Sequence, residues 1–309
     1  MLEITIDWLQ FTSKDPNYLT TLINILRLDR NQFIELPKGK LGYKKQIALG
    51  DIYILYDGNE GMGTHVILSG KGCRQYEEKE PLIELIKRLN ENEIKCTRID
   101  LAIDDIEGKT IQIANITEDL RKGNVISKWK TSTELIKREL NTGEIIGQTI
   151  NIGSRQSETF LRIYNKSLEK GIEGNWSRME LEVKGRKAEK LQSIMTVENV
   201  GQLIKKIINN YIRIVEPGND TNKSRWKTKE YWSNIIETTE KVKLSSKKED
   251  KTVDELKKWV ESQIAPTLAT ISIADGGSVD FLYEQIREGQ KRLKAKHRRI
   301  ISRGDKNVE

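Results

Sequence analysis

The segment RIDLAID, residues 98–104, decides the fold, because its side chains alternate without a break. In an extended chain Arg98, Asp100, Ala102 and Asp104 share one face while Ile99, Leu101 and Ile103 share the other. This is a strand with a core face and a charged face. The pattern recurs twice downstream. FLRIYNK (160–166) places Arg162, Tyr164 and Lys166 opposite Leu161 and Ile163. RMELEVK (178–184) places Arg178, Glu180, Glu182 and Lys184 opposite Met179, Leu181 and Val183.

Working outward, further strands are expected over Ile4 to Phe11, Gln46 to Tyr56, Thr64 to Ser69 and Thr149 to Ile152, each bounded by Gly, Asn, Asp or charge clusters. Helices are expected over Glu80 to Asn90, with Pro81 in its first turn, and over Ile111 to Lys122. Strands joined by short turns, with few helices between, predict an α+β fold. Its centre is a mainly antiparallel β-sheet with flanking helices, followed by a helical C-terminal region. Three regions are expected: a first domain over 1–215, a connecting anchor segment over 216–240, and a charged linker with a basic helical tail over 241–309. In the tail, Val253 to Ile264 and Val279 to Ile301 read as helical, and the last of these carries a basic run that includes Arg298. Such a run is either a solvated face or a nucleic-acid contact.

Composition narrows the chemistry. The 309 residues carry 53 Lys and Arg against 46 Asp and Glu, a formal charge of +7, and no apolar run approaches the roughly 18 residues of a membrane span. The start of the chain lacks a signal-peptide layout, so a cytoplasmic protein without membrane contact is expected. Two cysteines, Cys73 and Cys96, exclude a disulfide framework and a four-cysteine zinc site. Two distant histidines, His65 and His297, exclude a site built on clustered imidazoles. Any metal must then be held by carboxylates, which suits Mg2+ or Mn2+.

If the three charged faces lie in one sheet, Asp100, Asp104, Glu180 and Glu182 converge with several cations and the Tyr164 hydroxyl. One reading is an ordinary solvated sheet face with cross-strand ion pairs. The other is a site, because clustered carboxylates repel unless a cation lies between them. A metal beside a tyrosine suits phosphoryl transfer, with Arg162, Lys166 and the ion favouring the phenolate. The Gly70–Gln75 stretch reads as a tight turn that aims Arg74 at phosphate, and Arg155 reads as a second phosphate clamp. Trp129 and Trp176 are candidates for base stacking or core packing.

IDWLQFT (6–12), GMGTHVILSGKGCRQYE (61–77), TRIDLAIDD (97–105) and FLRIYNKSLEK with WSRMELEVK (160–184) together resemble the replication initiation factor (Rep-trans) family. That resemblance implies a rolling-circle plasmid replication initiator. Such a protein is a metal-dependent, site-specific DNA endonuclease and strand transferase that forms a 5′-phosphotyrosine and frees a 3′-OH primer. The alternatives are a conjugative-element relaxase of the same chemistry and a non-catalytic origin-binding protein. The family motif places the nucleophile on Tyr164, with Arg162 and Lys166 beside it. The acidic ligands of Mg2+ or Mn2+ are assigned to Asp100, Asp104, Glu180 and Glu182, and DNA contacts to Arg74, Arg155, Arg178 and Arg298. Expected partners are plasmid origin DNA with a single-stranded or hairpin nick site, a host helicase, and a second copy in a homodimer.

Overall fold

Among the residues that the computed structural model describes (2–15, 18–243, 253–293, 297, 300 and 301), the charged segments lie side by side at the centre of one sheet. The strands are β1 (Leu2–Ser13), β2 (Ile34–Leu36), β3 (Lys45–Leu49), β4 (Ile52–Tyr56), β5 (Thr64–Leu68), β6 (Lys95–Asp105), β7 (Val125–Ser127), β8 (Ser132–Arg138), β9 (Ile145–Ile152), β10 (Thr159–Asn165), β11 (Ser177–Lys184) and β12 (Ile212–Ile214). Ten form a sheet in the order β2-β3-β4-β5-β1-β6-β11-β10-β9-β8, and β7 pairs with β12 separately. Each neighbouring pair is antiparallel. The fold is α+β.

The helices of this part are α1 (Leu19–Ile25), α2 (Gly70–Glu77), α3 (Leu82–Glu91), α4 (Ile113–Arg121), α5 (Lys166–Lys170), α6 (Gly185–Ile194), α7 (Val200–Tyr211) and α8 (Glu230–Glu240). Their apolar stripes close one side of the sheet. Leu82, Ile83, Leu85, Ile86 and Leu89 of α3 fall at helical spacing and join Ile204 and Ile208 of α7 in one core. The sheet contributes its apolar positions to that core, including Ile99, Leu101, Ile103, Leu161, Ile163, Met179, Leu181 and Val183. The charged positions are thereby driven to the opposite face.

Several expectations change on contact with the structure. The single strand read over 46–56 is a hairpin, β3 and β4, with Gly50 at φ +58° in the turn. The turn read over Gly70–Gln75 is the helix α2, capped by the Ser69 hydroxyl accepting from the Gly72 amide at 3.2 Å. Gly72 is required there, since a Cβ would collide with the Asp51 carbonyl. Strands β2 and β8 and helices α1 and α6 are short or of mixed polarity and give no clear period, whereas α7 carries a helical stripe through Val200, Ile204 and Ile208. One compact unit spans Met1–Lys247 and holds α8 in its core through Trp232, Ile235 and Ile236. A second spans Lys248–Glu309 and contains α9 (Val253–Trp259), a π-turn (Val260–Ile264), α10 (Ala265–Ala274) and α11 (Asp280–Lys291). No helix among the described residues is long and apolar enough to cross a membrane.

His65 is a packing residue. It is 8% exposed, its Nδ1 lies 2.7 Å from the Thr12 hydroxyl, and its ring stacks on Tyr43 at 6.1 Å between centroids. Burial, reinforced by the Lys40 charge, lowers its pKa from 6.5 to about 4. The folded state therefore holds it neutral where the unfolded chain would protonate it. This contribution is fully present above pH 6.5 and is lost as pH falls toward 4, amounting to about 3 kcal/mol. Denaturant unfolding of His65→Gln across this window is expected to show a flatter pH dependence than the parent; an unchanged slope assigns the acid loss elsewhere.

Candidate active site

The charged faces of β1, β6, β11 and β10 form a lattice whose rows are set by register. Tyr164 lies opposite Arg178, Arg178 opposite Asp104, and Asp104 opposite Glu3. In the next row Arg162 lies opposite Glu180, Glu180 opposite Ala102, and Ala102 opposite Thr5. One irregularity matters. Ile6 pairs with Leu101 but Trp8 pairs with Asp100, so Asp7 is the extra residue of a β-bulge. The bulge breaks the alternation of β1 and lets Trp8 follow Asp7 onto the same face, while Ile4, Ile6, Leu9 and Phe11 all remain core.

Tyr164 is 4% exposed and recessed in this face. Its hydroxyl donates to Glu180 Oε1 at 2.5 Å and accepts from Lys166 Nζ at 3.2 Å. Lys166 opens α5 rather than ending β10, yet its ammonium returns to the hydroxyl. Arg162 donates to the other Glu180 oxygen, through Nε at 3.0 Å and also through Nη2, and its guanidinium lies 5.1 Å from the Tyr164 ring. Burial, and then the Glu180 charge, push the phenol well above its ordinary range, so at rest it is protonated. Burial alone would raise Glu180 too, but Arg162 and the hydrogen bond from Tyr164 hold it below the usual carboxylate value.

Arg178 braces the site from within. Its Nε and Nη2 meet the two Asp104 oxygens at 2.7 and 2.8 Å, and its Nη1 lies 3.1 Å from Asp7 and 3.8 Å from Glu180. The Trp176 indole also donates to Asp104, at 2.5 Å. One row along, Arg98 forks onto Asp100 at 2.8 and 2.5 Å and reaches Glu182 at 2.7 Å, while Lys184 reaches Glu182 at 2.7 Å. Burial raises Asp100 to about 7 against the pull of Arg98. Burial likewise raises Asp7 despite Arg178.

The four acidic residues expected to hold an ion do share one face, but each is matched by protein cations. Asp104 belongs to Arg178, Glu180 to Arg162, and Asp100 and Glu182 to Arg98 and Lys184. Among the described residues no three His, Cys, Asp or Glu side chains form a group that could hold a metal. As arranged, the set does not fit one Mg2+ or Mn2+ ion.

The remaining expected residues are dispersed. Arg74 is not at the tip of a turn: within α2 its side chain is 12% exposed, donates to the Ile6 carbonyl beside the bulge and meets Glu77 at 2.8 Å. Arg178 is internal in the same way, so neither presents its guanidinium outward. Arg155 is exposed, but it lies over Phe160 at 5.2 Å, at the opposite end of β10 from Tyr164. Arg298 lies outside the described residues. Trp129 is core, donating to the Thr159 carbonyl at 3.0 Å. Asp7 is the site residue that pattern reading misses, and Arg98, though read onto the charged face, carries no assigned role there. A signal existed in ITIDWLQF: the apolar positions step 4, 6 and then 9, 11, and a shift of phase within one strand is what a bulge produces.

Fold and site together define a class of protein: an antiparallel sheet whose charged face holds a recessed tyrosine between a carboxylate and an ammonium. Residues 94–286 match the family described as "Replication initiation factor", and residues 3–83 match "Rolling Circle replication initiation protein N-terminal domain". The chain belongs to the replication initiation factor family. It is 26% identical, over 96% of its length and 88% of the relative's, to the "Putative DNA relaxase NicK" of Bacillus subtilis (strain 168). It superimposes with a TM-score of 0.74 and 29% identity on the rolling circle replication initiator protein from Geobacillus stearothermophilus, covering 80% of this chain and 100% of that one.

Proposed function

We propose that the protein is a rolling-circle replication initiator that nicks and rejoins one DNA strand through Tyr164. The observation that carries this is the Tyr164 hydroxyl held between the Glu180 carboxylate and the Lys166 ammonium. In the proposed reaction the phenol proton passes to Glu180 as the phenolic oxygen attacks a backbone phosphorus. The new phosphotyrosine bond keeps the 5′ phosphate on the protein, the bond to the 3′ oxygen breaks, and that oxygen takes up a proton to become a 3′ hydroxyl. The incoming phosphate draws Arg162 from Glu180, which raises the basicity of the carboxylate when the phenol must be deprotonated. Lys166 stabilises the charge on the phenolic oxygen, and Arg162 the charge that builds on the phosphate.

The substrate in this reading is origin DNA, unpaired at the nick; a host helicase, a homodimeric state and a cytoplasmic setting belong to the same proposal. The similarity to a Bacillus subtilis protein named as a DNA relaxase favours a second reading, a relaxase of the same chemistry. The test is incubation with supercoiled DNA from the protein's own replicon, in magnesium, in manganese and in EDTA, scoring relaxed product and a covalent 5′ adduct. Binding without relaxation under all three conditions assigns the protein to origin recognition alone. In the same assay Glu180→Gln is expected to slow nicking by about 10²–10⁴-fold, because an amide accepts the hydrogen bond but not the proton; a rate near that of the parent removes Glu180 from the proton transfer.

A further inference from the structure

We infer that an unpaired DNA strand crosses this face with one base stacked on Trp176 and another on Trp8, flanking the nucleophile. This rests on the reading of Tyr164 as a nucleophile toward DNA. Trp176 shares a face with Arg178 and Glu180, and it is the diagonal cross-strand neighbour of Tyr164, about 7–8 Å away between Cα atoms. Its indole is half-buried and oriented by the bond to Asp104. Two cations lie over the ring, Lys170 at 4.7 Å and Arg178 at 5.7 Å from its centroid.

Trp8 stands on the other side of the site, at the bulge. From Tyr164 it lies three strands across and four residues along, roughly 20 Å by strand geometry, a span of several nucleotides. It too is half-buried, with the Arg98 guanidinium over its ring at 4.7 Å, and its enclosed indole N–H meets no hydrogen-bond acceptor among the described residues. A tryptophan enclosed this far ordinarily finds an acceptor for that proton. Trp176 joins no hydrophobic cluster among the described residues and Trp8 packs only at the border of the small Tyr43, Leu55 and Ile67 cluster, in contrast to Trp129 and Trp232 in the main core.

The recessed hydroxyl selects among DNA forms. With Tyr164 only 4% exposed, a rigid duplex cannot bring a phosphodiester to the floor of the face, whereas a flexible strand can. Base–aromatic stacking with a cation alongside is a sequence-tolerant way to hold such a strand, the cation meeting the adjacent phosphate. The scissile phosphate is then drawn taut between two stacked bases.

The experiment measures binding in a Tyr164→Phe background, so that it stands apart from cleavage. A fluorescein-labelled single-stranded oligonucleotide of about twelve nucleotides and its blunt duplex are titrated, with fluorescence anisotropy as the readout. Trp8→Ala and Trp176→Ala are each expected to weaken single-strand binding roughly five- to hundredfold, with duplex binding unchanged. Trp8→Phe and Trp176→Phe keep a stacking ring and are expected to bind within about threefold of the parent. Trp176→Phe also loses the bond to Asp104, so it separates stacking from structure. Alanine variants that bind the single strand as the parent does, or that weaken both forms alike, overturn the inference and leave the nicking reading untouched. Failure of Tyr164→Phe to abolish nicking would sink that reading while this binding result stood.

Discussion

Replacing Tyr164 by Phe is expected to remove strand nicking by roughly 10⁴-fold or more and to eliminate the covalent 5′ adduct, while DNA binding stays within about threefold of the parent. The substitution deletes one oxygen. Glu180 and Lys166 both address that oxygen, and no other hydroxyl is hydrogen-bonded to them among the contacts of this face. The ring volume under Arg162 is kept, and Glu180 retains its guanidinium partner, so folding should change by only about 1 kcal/mol. Supercoiled-DNA relaxation and adduct detection measure the first effect, and thermal unfolding the second. Residual nicking above about a hundredth of the parent rate, in a variant that folds normally, would place the nucleophile elsewhere.

Arg178→Met is expected to be the most damaging substitution for stability, costing about 3–5 kcal/mol. The side chain of Arg178 is 6% exposed and that of Asp104 is fully buried, so removing the guanidinium takes its cationic partner from a buried carboxylate that also accepts from the Trp176 indole N–H. Asp7 loses its cation in the same step, and with it the tie that draws the bulge toward β11. Neutralising the stranded partner should recover part of the loss: the double variant Arg178→Met with Asp104→Asn is expected to be more stable than Arg178→Met alone. Urea denaturation of the parent, Arg178→Met, Asp104→Asn and the double variant measures the coupling. A loss below about 1 kcal/mol for Arg178→Met would show that the pair is not desolvated as its burial indicates.

Much of this architecture was legible before any coordinates. Alternation in 98–104, 160–166 and 178–184 depends only on the two-residue period of a strand, so it located the charged face and put Tyr164 with Arg162, Glu180 and Asp104. The same local logic failed at Gly70–Gln75, where glycines signalled a turn. A serine cap and the burial of Cys73 and Tyr76 make a helix there instead. Arg74, Arg155 and Arg178 show the limit more sharply. Their charge was plain, but whether a guanidinium faces solvent or a buried carboxylate depends on which strand lies next to which.

By itself the sequence determined the strand faces, the oxygen-rich donor set, the exclusion of histidine- and cysteine-based metal sites, and the family motifs around Tyr164. Only the tertiary structure decided that Asp7 joins the site through a bulge, that Arg98, Arg162, Arg178 and Lys184 stand between the carboxylates, and that Trp8 and Trp176 flank the nucleophile. Alternation is a property of neighbouring residues along one chain. Charge pairing is a property of register between strands as far as 171 positions apart, such as Asp7 with Arg178, and burial then fixes which of the possible pairs form.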